Sequence, residues 1–159
     1  MADARISVAL GTRNGAAHVA RQVASILSQR PAPFELVVGD DDSSDDTLAI
    51  IERVYAEALA ADPQLPTRLE IIRRQPALGV TANFAATLAA CSGDLIALSD
   101  QDDEWMPGKL AALAAAFAAD PELLLAHTDA RLVDGDGSPL GVTLLDALEA
   151  TAQERAGLA

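Results

Sequence analysis

The sequence predicts an α/β fold, a mainly parallel sheet with helices on both faces, and three observations predict it. Short runs rich in Val, Ile and Leu recur along the chain. Segments with an apolar period of about 3.6 residues separate them. The chain has 159 residues, half of them hydrophobic, which makes one ordinary domain with enough apolar mass for a buried core. Strands that alternate with helices are joined by right-handed crossovers, which set neighbouring strands parallel and the helices against the sheet.

Each element follows from its own pattern. Ile6 to Leu10 is an apolar run suited to a buried parallel strand, and 11–15 is a loop. Over 16–29, Val19, Val23, Ile26 and Leu27 share one helical face, and Pro31-Ala32-Pro33 ends that helix. Strand two runs from Phe34 to Gly39. Ser44 fits an N-cap, with Asp45 and Asp46 in the first turn, where acids favour the helix dipole. Leu48, Ile51, Val54, Tyr55, Ala58 and Leu59 form the stripe that follows. Arg68 to Arg73 is strand three, 80–90 a helix, 94–99 strand four and 107–119 a helix. Leu123 to Thr128 reads as strand five, Asp134-Gly135-Asp136-Gly137 as a hairpin turn, and the tail after Val142 as weakly helical.

Composition excludes several functions. A net charge of −13 argues against a nucleic-acid partner, whose phosphates need Lys and Arg. It leaves room for a small phosphate-bearing ligand if a metal neutralises the meeting point. The single Cys91 forbids an internal disulfide and fits a small buried residue. The start, Met1-Ala2-Asp3-Ala4-Arg5, has no signal-peptide pattern, and no apolar run approaches the ~20 residues of a transmembrane segment. The chain is therefore expected to be cytoplasmic. No Gly-x-x-x-x-Gly-Lys-Ser/Thr occurs, and no Gly-x-Gly-x-x-Gly follows strand one. His18 and His127 have no ligand spacing and fit structural places, as Trp105 fits a packing anchor.

The chemistry gathers in two acidic knots. Nine of the 24 acids lie in 40–46 and 100–104. Asp45 and Asp46 suit a helix start, but Asp40 and Asp41 stand earlier, at the strand end. A carboxylate there can accept the N–H of a nucleobase or the hydroxyls of a ribose. Adjacent carboxylates repel unless they meet donors or a cation. In Asp100-Gln101-Asp102-Asp103-Glu104 the strand ends in Asp-x-Asp, a pattern that suits a hard divalent cation. An EF-hand fails, since Asp45 and Ile51 stand at positions six and twelve from Asp40, and Leu145 stands at position twelve from Asp134. Loop 11–15 and both knots follow strands, so all three belong on the carboxyl edge, where such sheets bind ligands. A phosphoacceptor receiver would need a lone Asp after strand three and a Lys after strand five. Here strand three ends in Arg73-Arg74, and the only Lys, Lys109, follows strand four.

Together these loops resemble the inverting family 2 glycosyltransferases of the GT-A, Rossmann-like fold, across Ile6 to about Leu140. Leu10-Gly11-Thr12-Arg13-Asn14-Gly15 resembles the family's opening strand and Thr-Tyr-Asn-Gly loop, and Ser25-Ile26-Leu27-Ser28-Gln29 the end of its first helix. Val38-Gly39-Asp40-Asp41-Asp42-Ser43 resembles its Val-Asp-Asp-Gly-Ser segment, and Leu78-Gly79 with Asn83-Phe84 its Asn-x-Gly region. Gly93-Asp94 and Asp100-Gln101-Asp102-Asp103-Glu104-Trp105 match its Gly-Asp and Asp-x-Asp-Asp-x-Trp, with the flavour of the bacterial surface-polysaccharide, rhamnosyltransferase-like subgroup.

The resemblance implies a metal-dependent transfer of a sugar from a UDP- or dTDP-sugar donor to a saccharide or lipid-linked acceptor, in the cytoplasm or at the inner membrane face. It implies that Asp41 contacts the base and that Thr12, Arg13 and Asn14 belong to the nucleotide-sugar loop. Asp100 would lie beside ribose and sugar, and Asp102 would ligate Mg²⁺ or Mn²⁺ at the diphosphate. Three positions depart from the pattern: Arg13 replaces an aromatic, Asp42 a Gly and Ala77 an Asn. The family's general base falls later than this chain reaches, and Asp129, Asp134, Asp136, Asp146 and Glu149 lack its context. The expectation is a C-terminally truncated donor domain, 1–142, with an incomplete tail, 143–159. The alternative is a nucleotide-sugar and metal-binding module without the base.

Overall fold

The computed structural model describes residues 4–149. Met1-Ala2-Asp3 and the end of the tail, from residue 150 on, lie outside the described residues. The order is β1 (Ile6–Thr12), α1 (Val19–Leu27), β2 (Glu35–Asp41), α2 (Thr47–Ala61), β3 (Arg68–Arg74), α3 (Val80–Ala90), β4 (Leu95–Asp100), α4 (Lys109–Ala119), β5 (Arg131–Val133), β6 (Pro139–Thr143) and α5 (Leu144–Ala147). The chain divides into two compact units, one up to Ala114 and one from Ala115.

The first unit is built on a parallel sheet of order β3-β2-β1-β4. Strand alternation sorts the side chains. Ile6, Val8 and Leu10 of β1 and Leu36 and Val38 of β2 join α1 (Val19, Val23, Ile26, Leu27) and α2 (Leu48, Ile51, Val54) in one core. The other face carries small residues, and α3 lies against it. Phe84 stands over Gly11, where a Cβ would come within 2.8 Å of the ring, and Asn83 and Thr87 stand over Gly39. Side chains at either glycine would push α3 off the sheet.

At the amino edge one carboxylate ties the strands together. Glu35 is fully buried. Its Oε1 accepts from Ser7 Oγ and from Ser92 N, each at 2.6 Å, and Ser92 Oγ and the Arg68 guanidinium also donate to it. Burial opposes its ionisation, but the donors from Ser7, Ser92 and Arg68 outweigh burial and lower its pKa to about 2. Burial, helped by the Glu35 charge, pushes the half-buried Cys91 thiol up to about 11, so it stays protonated.

In the second unit, β5 and β6 pair antiparallel around the turn expected at Asp134–Gly137. Asp134 Oδ1 accepts from Asp136 N and Ser138 N, and Gly137 takes φ +84°. Thr143 and Asp146 cap α5 reciprocally.

Two expectations are corrected. Leu123–Thr128 is not a strand, and the pairing segment is 131–133 instead. Leu124 and Leu125 are 93% and 78% exposed, so the apolar run has β propensity but no pairing strand among the described residues. Ser44 is not the N-cap, and Asp45 and Asp46 are not in the first helical turn. Asp46 stands at the N-cap and α2 begins at Thr47. The Asp45 carboxylate binds Thr47 N, Thr47 Oγ1 and Ala16 N, which holds the chain in a turn for two more residues.

Candidate functional site

The carboxyl ends of β1, β2 and β4 and the start of α3 enclose a cavity of about 310 Å³. Gly11, Thr12 and Arg13 come from β1 and its loop, Asp41 from β2, Gly79, Val80, Asn83 and Phe84 from the α3 region, and Asp100, Gln101 and Asp102 from β4. The strand order reverses between β1 and β4, which opens a crevice at such a switch point. Gly11 registers opposite Asp100, so the acidic knot faces the β1 loop directly. A second cavity of about 280 Å³ lies between α1 and α2, away from the strand ends, and collects none of the acidic-knot residues that face this crevice.

The loops around the cavity are laced to one another. Asn14 N donates to Ser43 Oγ at 2.9 Å, Gly15 N to Thr47 Oγ1 at 2.7 Å, and Ser44 N to Asn14 Oδ1 at 2.9 Å. Gln101 grips Arg13 from both ends of its amide: Oε1 accepts from Arg13 N at 2.9 Å, and Nε2 donates to Arg13 O at 3.1 Å. Asn14 takes φ +48° and Asp42 φ +67°. Asn and Asp tolerate that left-handed region best after Gly, so Asp42 holds the backbone shape of the glycine it replaces.

The two acids that end β2 face opposite sides. Asp40 Oδ1 accepts from Thr12 Oγ1 at 2.9 Å and Ser43 Oγ at 2.6 Å, and Oδ2 from Ser43 N at 3.1 Å, so Asp40 fastens the loop. Asp41 is 3% exposed and accepts from Leu78 N at 2.6 Å and Gly79 N at 2.9 Å, which pins the entry to α3 beside the cavity. Gly79 turns there at φ +87°. Each Asp41 oxygen keeps a lone pair for a ligand donor.

The second knot is differently placed. Burial pushes the Asp100 carboxyl above its ordinary range, and the charges of Asp103 and Asp102 push it further. Among the described residues no ion pair engages Asp100 or Asp102, Asp103 acts on Lys109 through its charge, and Glu104 pairs with Arg21 at 3.8 Å. Trp105 is buried and its backbone N–H donates to Ser25 Oγ at 2.9 Å. Lys109 lies 4.8 Å over the Trp105 ring; burial lowers its pKa, against the pull of Asp103. No group of three or more His, Cys, Asp or Glu among the described residues forms a metal cage. One or two carboxylates fit Mg²⁺ or Mn²⁺ where ligand phosphates complete the shell.

Thr12, Arg13, Asp41, Asp100 and Asp102 thus line one cavity. Asn14 is not in its wall and fastens loop to loop. Sequence reasoning missed Gln101 and Asn83. Gln101 had a signal, as a polar residue between two acids at a strand end; Asn83 had only its place in the Asn-Phe motif.

The profile of glycosyl transferase family 2 matches residues 7–146. The chain belongs to that family. An uncharacterized glycosyltransferase of a Nostoc species is 30% identical over 133 residues, covering 83% of this chain and 38% of the relative. The Escherichia coli UDP-Glc:alpha-D-GlcNAc-diphosphoundecaprenol beta-1,3-glucosyltransferase WfgD is 30% identical over 111 residues, covering 69% of this chain and 40% of that enzyme. The crystal structure of Staphylococcus aureus TarS 1–349 in complex with UDP superposes with a TM-score of 0.58 at 25% identity, covering 72% of this chain and 32% of that 1–349 chain. The fold of this family 2 member is GT-A. The chain spans two fifths or less of the length of the curated relatives it matches.

Proposed function

We propose that the cavity binds a nucleoside diphosphate sugar, UDP- or dTDP-linked, and that the chain is the donor part of an inverting transferase for polysaccharide or glycoconjugate synthesis. The observation that carries this is the meeting of Thr12, Arg13 and Asp41 with Asp100 and Asp102 around one cavity at the switch point. Thr12 and Arg13 flank the base, and the Arg13 guanidinium offers a flat cationic face where an aromatic would stack. Asp41 accepts a base N–H while it holds the α3 entry. Asp100 takes ribose or sugar hydroxyls. Asp102, with Asp100 beside it, would hold Mg²⁺ or Mn²⁺, which stabilises charge on the departing diphosphate. The UDP in TarS and the UDP-glucose in the name of the E. coli relative support a uracil nucleotide. The lipid diphosphate in that name supports a lipid-linked acceptor. No helix among the described residues is long and apolar enough to cross a membrane.

One observation favours a second reading, a nucleotide-sugar and metal-binding module without the general base. Three of the later acids are committed to local structure: Asp129 accepts from Ala130 N and Leu145 N, Asp134 holds the hairpin turn, and Asp146 caps α5. Thermal melts with UDP, dTDP and GDP, each with Mn²⁺ and with EDTA, test the donor site. A metal-dependent rise in the midpoint with UDP or dTDP is expected; no rise with any nucleotide would contradict it. Transfer to an acceptor, as opposed to binding alone, separates the two readings.

A further inference from the structure

The side of α1 that meets the chain around the second acidic knot is polar. Gln22 and Ser25 lie three residues apart on one helical face, Gln29 stands just past the helix end, and all three are buried. Their polar atoms go to the chain on either side of the knot. Upstream, Gln22 Nε2 donates to Ser99 Oγ at 2.5 Å, one residue before Asp100. Downstream, Ser25 Oγ accepts from Trp105 N at 2.9 Å, one residue after Glu104. Gln29 Nε2 donates to Met106 O at 3.1 Å, and its Oε1 accepts from Leu110 N at 3.3 Å. Ser25 Oγ donates in turn to Gln22 O at 2.8 Å, which joins the two anchors.

Buried amides and hydroxyls are costly unless bonded, and apolar side chains would pack against the sheet without that cost. Residues 101–108 belong to neither helix nor strand, so their backbone needs partners from elsewhere, and this stripe supplies them. Strand parity extends the effect to the site. Ser99 registers with Leu10 and turns toward α1, so its neighbour Asp100 turns the other way, into the cavity wall. Asp102 and Asp103 repel Asp100, and a loop held at one end only would let these carboxylates part. Resting on the metal-bound donor site proposed above, we propose that Gln22 and Ser25 are positioning residues for the metal. They fix both ends of 100–104 to neighbouring turns of one helix and so set where Asp100 and Asp102 meet the cation. Neither lines the cavity, so they act only through the knot. Groups behind metal-binding side chains tune affinity in this way.

The test titrates Mn²⁺ into the protein at a fixed UDP concentration, reading free and bound Mn²⁺ by paramagnetic resonance, on wild type, Gln22→Met, Ser25→Ala and Ile51→Val. Ile51, buried in the core on α2, is the stability control. Gln22→Met and Ser25→Ala are each expected to raise the apparent dissociation constant of Mn²⁺ about tenfold and to alter the spectrum of the bound ion. Ile51→Val is expected to lower the melting midpoint and leave both unchanged. Wild type supplies a readout that needs no variant to fold. UDP with Mn²⁺ should slow hydrogen exchange at Trp105 N by a larger factor than at Gly93 N, which Ser7 Oγ holds at the amino edge. A wild-type constant and spectrum in either folded variant overturns the proposal, as does an equal loss in Ile51→Val or equal slowing at the two amides. These outcomes leave the donor site standing. Wild type that takes up no Mn²⁺ with UDP overturns the donor-site reading and this proposal with it.

Discussion

The two edges of the parallel sheet treat a carboxylate in opposite ways. At the amino edge, Glu35 is buried among donors from Ser7, Ser92 and Arg68, and its pKa falls to about 2. At the carboxyl edge, burial and the charges of Asp103 and Asp102 push Asp100 up, and no basic side chain among the described ion pairs answers it. One carboxylate is already complete in the free protein. On the function proposed above, the others would take a cation and a hydroxylated anion from outside. Donor-saturated acids hold the fold, and acids crowded by like charge mark the site. Asp40 and Asp41 repeat the contrast within one strand end: Asp40 is consumed by Thr12 and Ser43, while Asp41 fastens Leu78 and Gly79 and still faces the cavity.

The largest effects should come from exchanging charge at the two edges. Asp102→Asn is expected to lower affinity for UDP with Mn²⁺ about 100-fold, as loss of a charged contact does. Asp100→Asn should melt at or above wild type at pH 7, because it removes a carboxylate that burial and its neighbours disfavour. A lower midpoint would show that Asp100 is held by donors as Glu35 is. Glu35→Gln should do the reverse, leaving nucleotide affinity near wild type and lowering stability. Its pKa falls from 4.5 to about 2 on folding, about 3 kcal/mol at most. Because the folded pKa is depressed, that stability is present above about pH 4.5 and is lost as pH falls toward 2. Urea melts of wild type and Glu35→Gln should therefore differ at pH 7 and converge near pH 2. A constant gap would assign the loss to packing instead of charge.

Smaller effects sharpen the contrast. Gln101→Ala removes both links to Arg13 and should lower stability by about 1 kcal/mol and weaken nucleotide binding a few-fold, read by chemical melts and titration. Asp42→Gly places the residue best suited to φ +67°, at the expense of a freer unfolded chain. Its stability should fall within about 0.5 kcal/mol of wild type, on the stabilising side.

Most of the sheet was legible because its strands are near-continuous apolar runs closed by acids or arginines. The run Leu123–Thr128 misled for the same reason: an apolar run does not supply a pairing partner, and Leu124 and Leu125 stay exposed. The start of α2 was misplaced because Asp45 uses its carboxylate on Thr47 and Ala16, a competition between turn and helix that a capping pattern does not reveal. At the site, strand-end acids are visible as sequence, so Asp41, Asp100 and Asp102 could be named. Which of Asp40 and Asp41 faces the cavity depends on strand parity at the last residues, and Asn83 depends on a helix packed against two registered glycines. Neither is written in local sequence. Asn14 was named through its loop motif, but its side chain turns to Ser44.

The most direct measurement is a calorimetric titration of UDP into this chain with Mn²⁺ and again with EDTA, on wild type and Asp102→Ala. Binding that needs the metal and disappears in Asp102→Ala, with the variant still folded, is the predicted result. Binding that persists unchanged in EDTA or in Asp102→Ala would contradict the assignment of the carboxyl-edge acids to a metal-bound diphosphate.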